Sequence, residues 1–188
     1  MEMTAATHTP FMARCLALAS PRLGKVKSNP LVGAVLVQDN EIIGEGCHEF
    51  FGGPHAEVNA INSVKNAALL PHATLYVNLE PCVHFGKTPP CASLIVESKI
   101  KHVVIGQLDP NPKVNGQGVQ FLRDHGIQVT TGILEEECRQ LNVRFNTYHE
   151  KKRPYLILKW AESMDGFIDP IRKDDTAQSV AISSKPSR

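Results

Sequence analysis

The 188-residue sequence has almost no excess charge of either sign: 20 Lys and Arg face 19 Asp and Glu, a formal net charge of +1. That balance argues against a nucleic-acid binder relying on a broad basic face, although a local basic patch stays open. No stretch approaches the ~18 consecutive apolar residues of a membrane span. Internal repeats and low-complexity tracts are lacking. The five cysteines are odd in number and follow no secreted-scaffold spacing, which points to a reducing compartment and to metal or catalytic duty for some of them. No basic cluster precedes the short apolar stretch Phe11–Ala19; Glu2 lies ahead of it and Arg14 interrupts it, unlike a signal peptide. Phe11, Cys15, Leu18 and Ala19 share one helical face, so a first amphipathic helix is expected there. Together these absences predict a cytoplasmic protein with no membrane contact and no nucleic-acid partner.

What is present is enough apolar material for a core. Hydrophobic residues make up 42%, against disorder, and a chain of this length buries roughly 70% of its unfolded surface without disulfide staples. Leu31–Val37 reads as a buried strand, Asp39-Asn40 as a turn, and Glu41–Gly46 as a returning strand. Pro54 precedes a helix over His55–Lys65. From residue 73 the pattern alternates: strands at Ala73–Leu79, His102–Gly106 and Ile127–Ile133, helices at Ala92–Ser98 and Gly118–His125, the latter closed by Gly126. A long final helix opens at Glu135-Glu136-Glu137, where acidic residues suit the helix dipole. This alternation predicts an α/β layered domain with a partly parallel sheet.

Lys151-Lys152-Arg153-Pro154 breaks the last helix and reads as a linker. Tyr155–Ala161 is expected to be a strand, and Met164–Ile168 a turn into another apolar piece. The segment 155–188 falls below the ~40 residues that hold a core alone. The expected division is therefore a complete domain over 1–150, then a linker and the truncated start of another over 151–188.

His55, Cys82 and Cys91 carry the metal chemistry expected of this sequence. His55 and Cys91 open helices and Cys82 ends a strand, so two helix N-termini converge and favour thiolate. One imidazole and two thiolates match zinc and leave a tetrahedral position open, which is catalytic rather than structural in type. Glu57, two residues after His55, is free to serve as general acid and base beside a zinc-activated water. His-x-Glu followed by Pro-Cys is the signature of zinc-dependent base deaminases. In that signature two residues separate the cysteines; here eight intervene, Val83 to Pro90, so the inserted loop must fold back for Cys91 to reach the metal.

That loop, Pro81-Cys82-Val83-His84-Phe85-Gly86-Lys87-Thr88-Pro89-Pro90-Cys91, resembles the riboflavin-biosynthesis deaminases. Ser28-Asn29-Pro30-Leu31-Val32-Gly33, Gly44-Glu45-Gly46-Cys47-His48, Asp109-Pro110-Asn111-Pro112 and Gly116-Gln117-Gly118 resemble further motifs of that family, with Ser28 where proline is common. Arg153-Pro154-Tyr155, Lys159-Trp160-Ala161 and Ser163-Met164-Asp165-Gly166 resemble the opening of its reductase domain. The resemblance implies a cytidine deaminase-like three-layer α/β/α fold with a central mixed sheet, plus the truncated start of a reductase domain. It implies zinc-dependent hydrolytic deamination of 2,5-diamino-6-(5-phosphoribosylamino)pyrimidin-4(3H)-one. NADPH would serve only the missing part of the bifunctional deaminase/reductase. The matching positions Asn29, His48, His84 and Lys87 serve substrate binding in the family, with Lys87 suited to the phosphate. A homodimer or higher assembly is also implied. Cys15, Cys47 and Cys138 are expected to be buried thiols, and Asn111 to be structural.

Two other readings compete. Another zinc deaminase could act on guanine, cytidine or tRNA adenosine, against which the eight-residue loop and the reductase-like tail argue. A non-catalytic zinc module would not require Glu57 and would ordinarily fill the fourth position with protein.

Overall fold

The computed structural model describes residues 5–84, 89–112, 114–162 and 166. The chain divides into two compact units, residues 1–155 and 156–188. In the first, the elements run α1 (Ala5–Ala19), β1 (Gly33–Gln38), β2 (Glu41–Cys47), α2 (Ala56–Ser63), β3 (Thr74–Leu79), α3 (Cys91–Glu97), β4 (His102–Gln107), α4 (Gln117–Asp124), β5 (Gln128–Thr131), α5 (Glu135–Leu141) and α6 (Val143–Lys151). Among the described residues no helix is long and apolar enough to cross a membrane.

The five strands lie in the order β2-β1-β3-β4-β5. β1 pairs antiparallel with β2 and β3, whereas β3–β4 and β4–β5 are parallel. The mixed character follows from the connections: a two-residue turn can only reverse a strand, and a helical crossover can return it parallel. Asp39 (φ 50°) and Asn40 (φ 65°) both adopt the left-handed region at the β1–β2 turn, which Asp and Asn tolerate better than most residues.

Strand alternation sends side chains to two layers. Ala34, Leu36, Leu75, Val77, Val103 and Ile105 pack with Ala56 and Ala60 of α2, Ile95 of α3 and Leu122 of α4. On the opposite face Val35, Val37, Tyr76 and Val104 pack with Met12 and Cys15 of α1 and Cys138 of α5. The result is the three-layer α/β/α arrangement expected from the sequence.

Several expectations need correction. The buried face of α1 carries Met12, Cys15 and Ala19 together with His8, while Phe11 and Leu18 are half-buried. His8 Nδ1 reaches the Tyr76 hydroxyl at 2.9 Å, so this helix is anchored by a polar contact that apolar periodicity could not disclose. The final helix is not continuous: it breaks at Asn142 (φ −103°, ψ 23°) into α5 and α6. Residues Tyr155–Ala161, expected as a strand, lie in no helix or strand. The expected turn at Met164–Ile168 lies, apart from Gly166, outside the described residues.

The Asn142 break has a use. Its Oδ1 accepts from the Leu31 N–H at 2.7 Å and its Nδ2 donates to the Leu31 carbonyl at 2.9 Å. Asn78, fully buried on β3, donates to the same carbonyl and accepts from the Gly33 N–H. Two amides thus fix the segment that carries Asn29. Asn142→Ala leaves the buried Leu31 N–H unpaired, so it should destabilise the chain by about 1–3 kcal/mol, readable as a lower urea midpoint with an unchanged m-value. An unchanged midpoint would mean that water replaces the amide.

Candidate active site

The site lies where β3 and β4 end and α2 and α3 begin. His55 is the residue preceding α2, Cys82 follows the end of β3 by three positions, and Cys91 is the first residue of α3. The ligand atoms of His55, Cys82 and Cys91 lie within 4.8 Å of one another. His55 Nδ1 stands 3.2 Å from Cys91 Sγ and 3.6 Å from Cys82 Sγ, and the Cys91 backbone N–H lies 3.4 Å from Cys82 Sγ. An imidazole nitrogen and two sulfurs at these separations fit around one tetrahedral zinc ion at bond lengths of about 2.0–2.3 Å. Cys91 does reach the cluster across the eight-residue insertion, of which Phe85–Thr88, and with them Lys87, lie outside the described residues.

Glycine spacing lets α2 approach. A side chain at Gly46 of β2 would place its Cβ 2.5 Å from the Ala60 backbone nitrogen, and one at Gly44 would meet the Ala60 carbonyl at 2.8 Å. The Gly-x-Gly of β2 is therefore the surface on which α2 rests, and α2 sets the position of His55 and Glu57.

Glu57, in the first turn of α2, is only 4% exposed. Burial, reinforced by the Cys82 thiolate and opposed by His55, pushes its carboxyl up to about 7. A carboxyl titrating there can both accept and return a proton near neutrality. Cys82 is held toward the thiolate, first by the hydrogen bond from the Cys91 thiol and then by His55. The same Cys82 contact raises His55.

Beside these groups is a cavity of about 220 Å³, lined among others by Asn29, His48, Glu57, His84 and Asp109. It gathers Asn29, His48 and His84 from the expected substrate residues. His84 is exposed at this edge. His48 is buried and both its nitrogens are occupied: Nδ1 donates to the Pro54 carbonyl at 2.9 Å, and Nε2 accepts from Asn29 Nδ2 at 3.0 Å. The carbonyl can only accept, which fixes the tautomer. Asn29 Oδ1 is thereby directed away from His48, and one amide N–H is left over.

Glu80 is the functional residue that sequence reasoning passed over. Its carboxylate accepts four backbone N–H groups, those of Asp109, Gly116, Gly118 and Val119, at 2.8–3.1 Å. It ties the 109–116 loop and the start of α4 to the residue two positions before Cys82. A Cβ on Gly118 would come 2.3 Å from the Pro81 carbonyl, so Gly116-Gln117-Gly118 lets backbone close on this carboxylate. The four donors come from residues about 30–40 positions away, and no local pattern announces them. Glu80→Ala should cost about 3 kcal/mol or more, since buried donors lose a charged acceptor. Chemical denaturation of the metal-loaded protein measures it, and a loss under about 1 kcal/mol would remove Glu80 as the pin. Asp109 borders the same cavity, its carboxyl raised to about 6 chiefly by burial.

Comparison with known proteins bears on this geometry. Residues 5–107 match the family described as cytidine and deoxycytidylate deaminase zinc-binding region. Riboflavin biosynthesis protein RibD of Aquifex aeolicus is 49% identical over 178 residues, covering 95% of this chain and 48% of that protein. Diaminohydroxyphosphoribosylamino-pyrimidine deaminase of Buchnera aphidicola is 46% identical over 135 residues, 72% of this chain and 90% of that protein. The crystal structure of a Thermotoga maritima diaminohydroxyphosphoribosylaminopyrimidine deaminase/5-amino-6-(5-phosphoribosylamino)uracil reductase superposes with a TM-score of 0.81 at 53% identity, covering 88% of this chain and 47% of that one. The chain thus spans about half the length of the longer relatives.

Proposed function

The chain belongs to the cytidine and deoxycytidylate deaminase zinc-binding family and, within it, to the diaminohydroxyphosphoribosylaminopyrimidine deaminases, and from that premise we propose that it removes the exocyclic amine from 2,5-diamino-6-(5-phosphoribosylamino)pyrimidin-4(3H)-one by hydrolysis. The observation that carries this is a buried carboxyl, Glu57, two residues from His55 of the His55–Cys82–Cys91 cluster and facing a cavity that Asn29 also lines. Zinc held by the cluster would supply Lewis acidity that makes water a nucleophile near neutral pH.

In this reading Glu57 takes a proton from the attacking water and delivers it to the ring nitrogen. A second transfer through the same carboxyl protonates the amine as the C–N bond breaks, so that water supplies the new C–O bond and ammonia leaves. Burial suits Glu57 to both directions of transfer by holding it near neutrality. Asn29 reads the pyrimidinone edge with its free Oδ1 and N–H. His48 acts behind it, as a positioning residue. His84 contacts the ribosyl side. Lys87 is assigned to substrate binding on the resemblance alone, and Lys87→Ala should raise KM more than it lowers kcat. An unchanged KM would withdraw the assignment.

The deaminase chemistry is assigned to residues 1–150, with 151–188 as linker and start of a reductase domain, on the strength of Arg153-Pro154-Tyr155 and Ser163–Gly166. NADPH would belong to that second domain. A homodimer or higher assembly is part of the same reading, and light scattering tests it. Zinc stoichiometry together with ammonia release from the phosphorylated diaminopyrimidine, compared with cytidine and guanine, tests the function. Turnover of cytidine or guanine in preference to the phosphorylated compound would overturn the substrate.

A further inference from the structure

The two oxygens of Glu80 divide their four backbone donors by place. Oε1 accepts from Gly118 at 2.8 Å and Val119 at 3.1 Å. Oε2 accepts from Asp109 at 3.1 Å and Gly116 at 2.9 Å. The first pair lies in the opening turn of α4 (Gln117–Asp124), and the second marks the two ends of the loop that leads into it.

The work of Oε1 is clear from α4 itself. The residue preceding this helix is Gly116, at φ 81°, which has no side chain to cap it. N–H groups at a helix start need an acceptor, and the helix dipole favours an anion there. Glu80, the residue after β3, supplies both from a distance. That use needs only one oxygen.

Oε2 has a different task. By accepting from both Asp109 and Gly116 it fastens the loop at its two ends. Within the loop Asp109 Oδ1 accepts from the Asn111 N–H at 2.8 Å, and the Asn111 carbonyl accepts from Val114 at 2.8 Å and Asn115 at 3.0 Å. The loop is thus a folded unit, and Asp109 and Asn111 both line the ring cavity. The backbone of Glu80 does not depend on its side chain. Its N–H donates to the Gln107 carbonyl at 3.0 Å, which extends the β3–β4 pairing. The sheet therefore carries the path to Cys82, and the carboxylate is left to hold the loop.

We infer that Glu80 is a positioning residue for substrate binding: Oε1 caps α4, and Oε2 clasps the 109–116 loop so that Asp109 and Asn111 stand as a fixed wall of the ring cavity. The inference rests on the deaminase reading above. A wall fixed in advance spares the substrate the cost of ordering it.

Glu80→Gln separates the two tasks, because an amide has one oxygen and one NH2. The helix dipole keeps that oxygen on Gly118 and Val119. The NH2 then faces two donors, Asp109 and Gly116, with which it cannot pair. Amide hydrogen exchange on the full zinc-loaded chain reads this directly. Asp109 and Gly116 should exchange about 10- to 100-fold faster than in wild type, the worth of bonds to a charged acceptor, while Gly118 and Val119 keep their protection. In ammonia release from the phosphorylated diaminopyrimidine, KM should rise about tenfold, the cost of ordering two side chains on binding, with kcat and stoichiometric zinc retained. In an Asp109→Ala/Asn111→Ala background Glu80→Gln should no longer change KM. Where the amide variant does not fold, Glu80→Asp takes its place: it keeps the charge but is one methylene too short to span both pairs, and should release the same two amides.

A merely structural Glu80 would lower the melting temperature and leave KM where it is. Equal exchange changes at all four amides, a wild-type KM despite the split, or loss of zinc in Glu80→Gln overturns the inference. Wild-type chain that releases no ammonia from the phosphorylated compound instead overturns the deaminase reading, and the role of the wall with it.

Discussion

Glu57→Gln will retain stoichiometric zinc and lose about two to four orders of magnitude in ammonia release, the range that a positioned acid–base group supplies. The amide keeps the shape of the carboxyl and its place in the first turn of α2, but it can neither accept the proton of water nor return one to the leaving amine. The burial that poises Glu57 near 7 also makes the substitution mild for the fold. A carboxyl with a raised folded-state pKa binds a proton on folding, so its penalty is absent below the unfolded range near 4.5 and grows as pH rises toward 7. Metal-free Glu57→Gln should therefore melt no lower than metal-free wild type at pH 8. Ammonia release within about tenfold of wild type would transfer the proton to another group of the same cavity, of which Asp109 is the nearest in titration range.

Removing a sulfur will act on the metal itself. Cys91→Ala should reduce zinc from stoichiometric to trace, measured by elemental analysis after gel filtration, and bring ammonia release to background. Alanine is a good helix former at this first position of α3, and the deleted thiol is fully buried, so the scaffold survives while the donor set drops to two. Chelation of wild type should reproduce the loss, and added zinc should reverse it for wild type alone. Full zinc retention in Cys91→Ala would remove the residue from the ligand set. Zinc affinity should also fall as pH drops, because the contact with Cys82 raises His55 and protons then compete for the nitrogen that binds metal. A wild-type affinity that is flat between pH 8 and 6 would contradict this.

The thiols outside the cluster differ in kind. Burial raises Cys15, and it pushes Cys138 up to about 12, which leaves both as core side chains in keeping with the sequence reading.

Much of the molecule is legible in its sequence because the signals are local. Strand alternation, the Asp39-Asn40 turn, Gly126 after α4 and the His-x-Glu…Pro-Cys spacing each depend on residues a few positions apart. They determine the α/β class, the order of its elements and the three candidate ligands with Glu57. What the tertiary structure alone decided involves side chains that bond to distant backbone. Glu80 collects N–H groups from the 109–119 segment, Asn142 breaks an otherwise continuous helical pattern to hold Leu31, and both ring nitrogens of His48 are engaged by Pro54 and Asn29. Hydrophobic period and motif spacing cannot encode such pairings, because buried polar groups find their partners only when the packed layers bring them together.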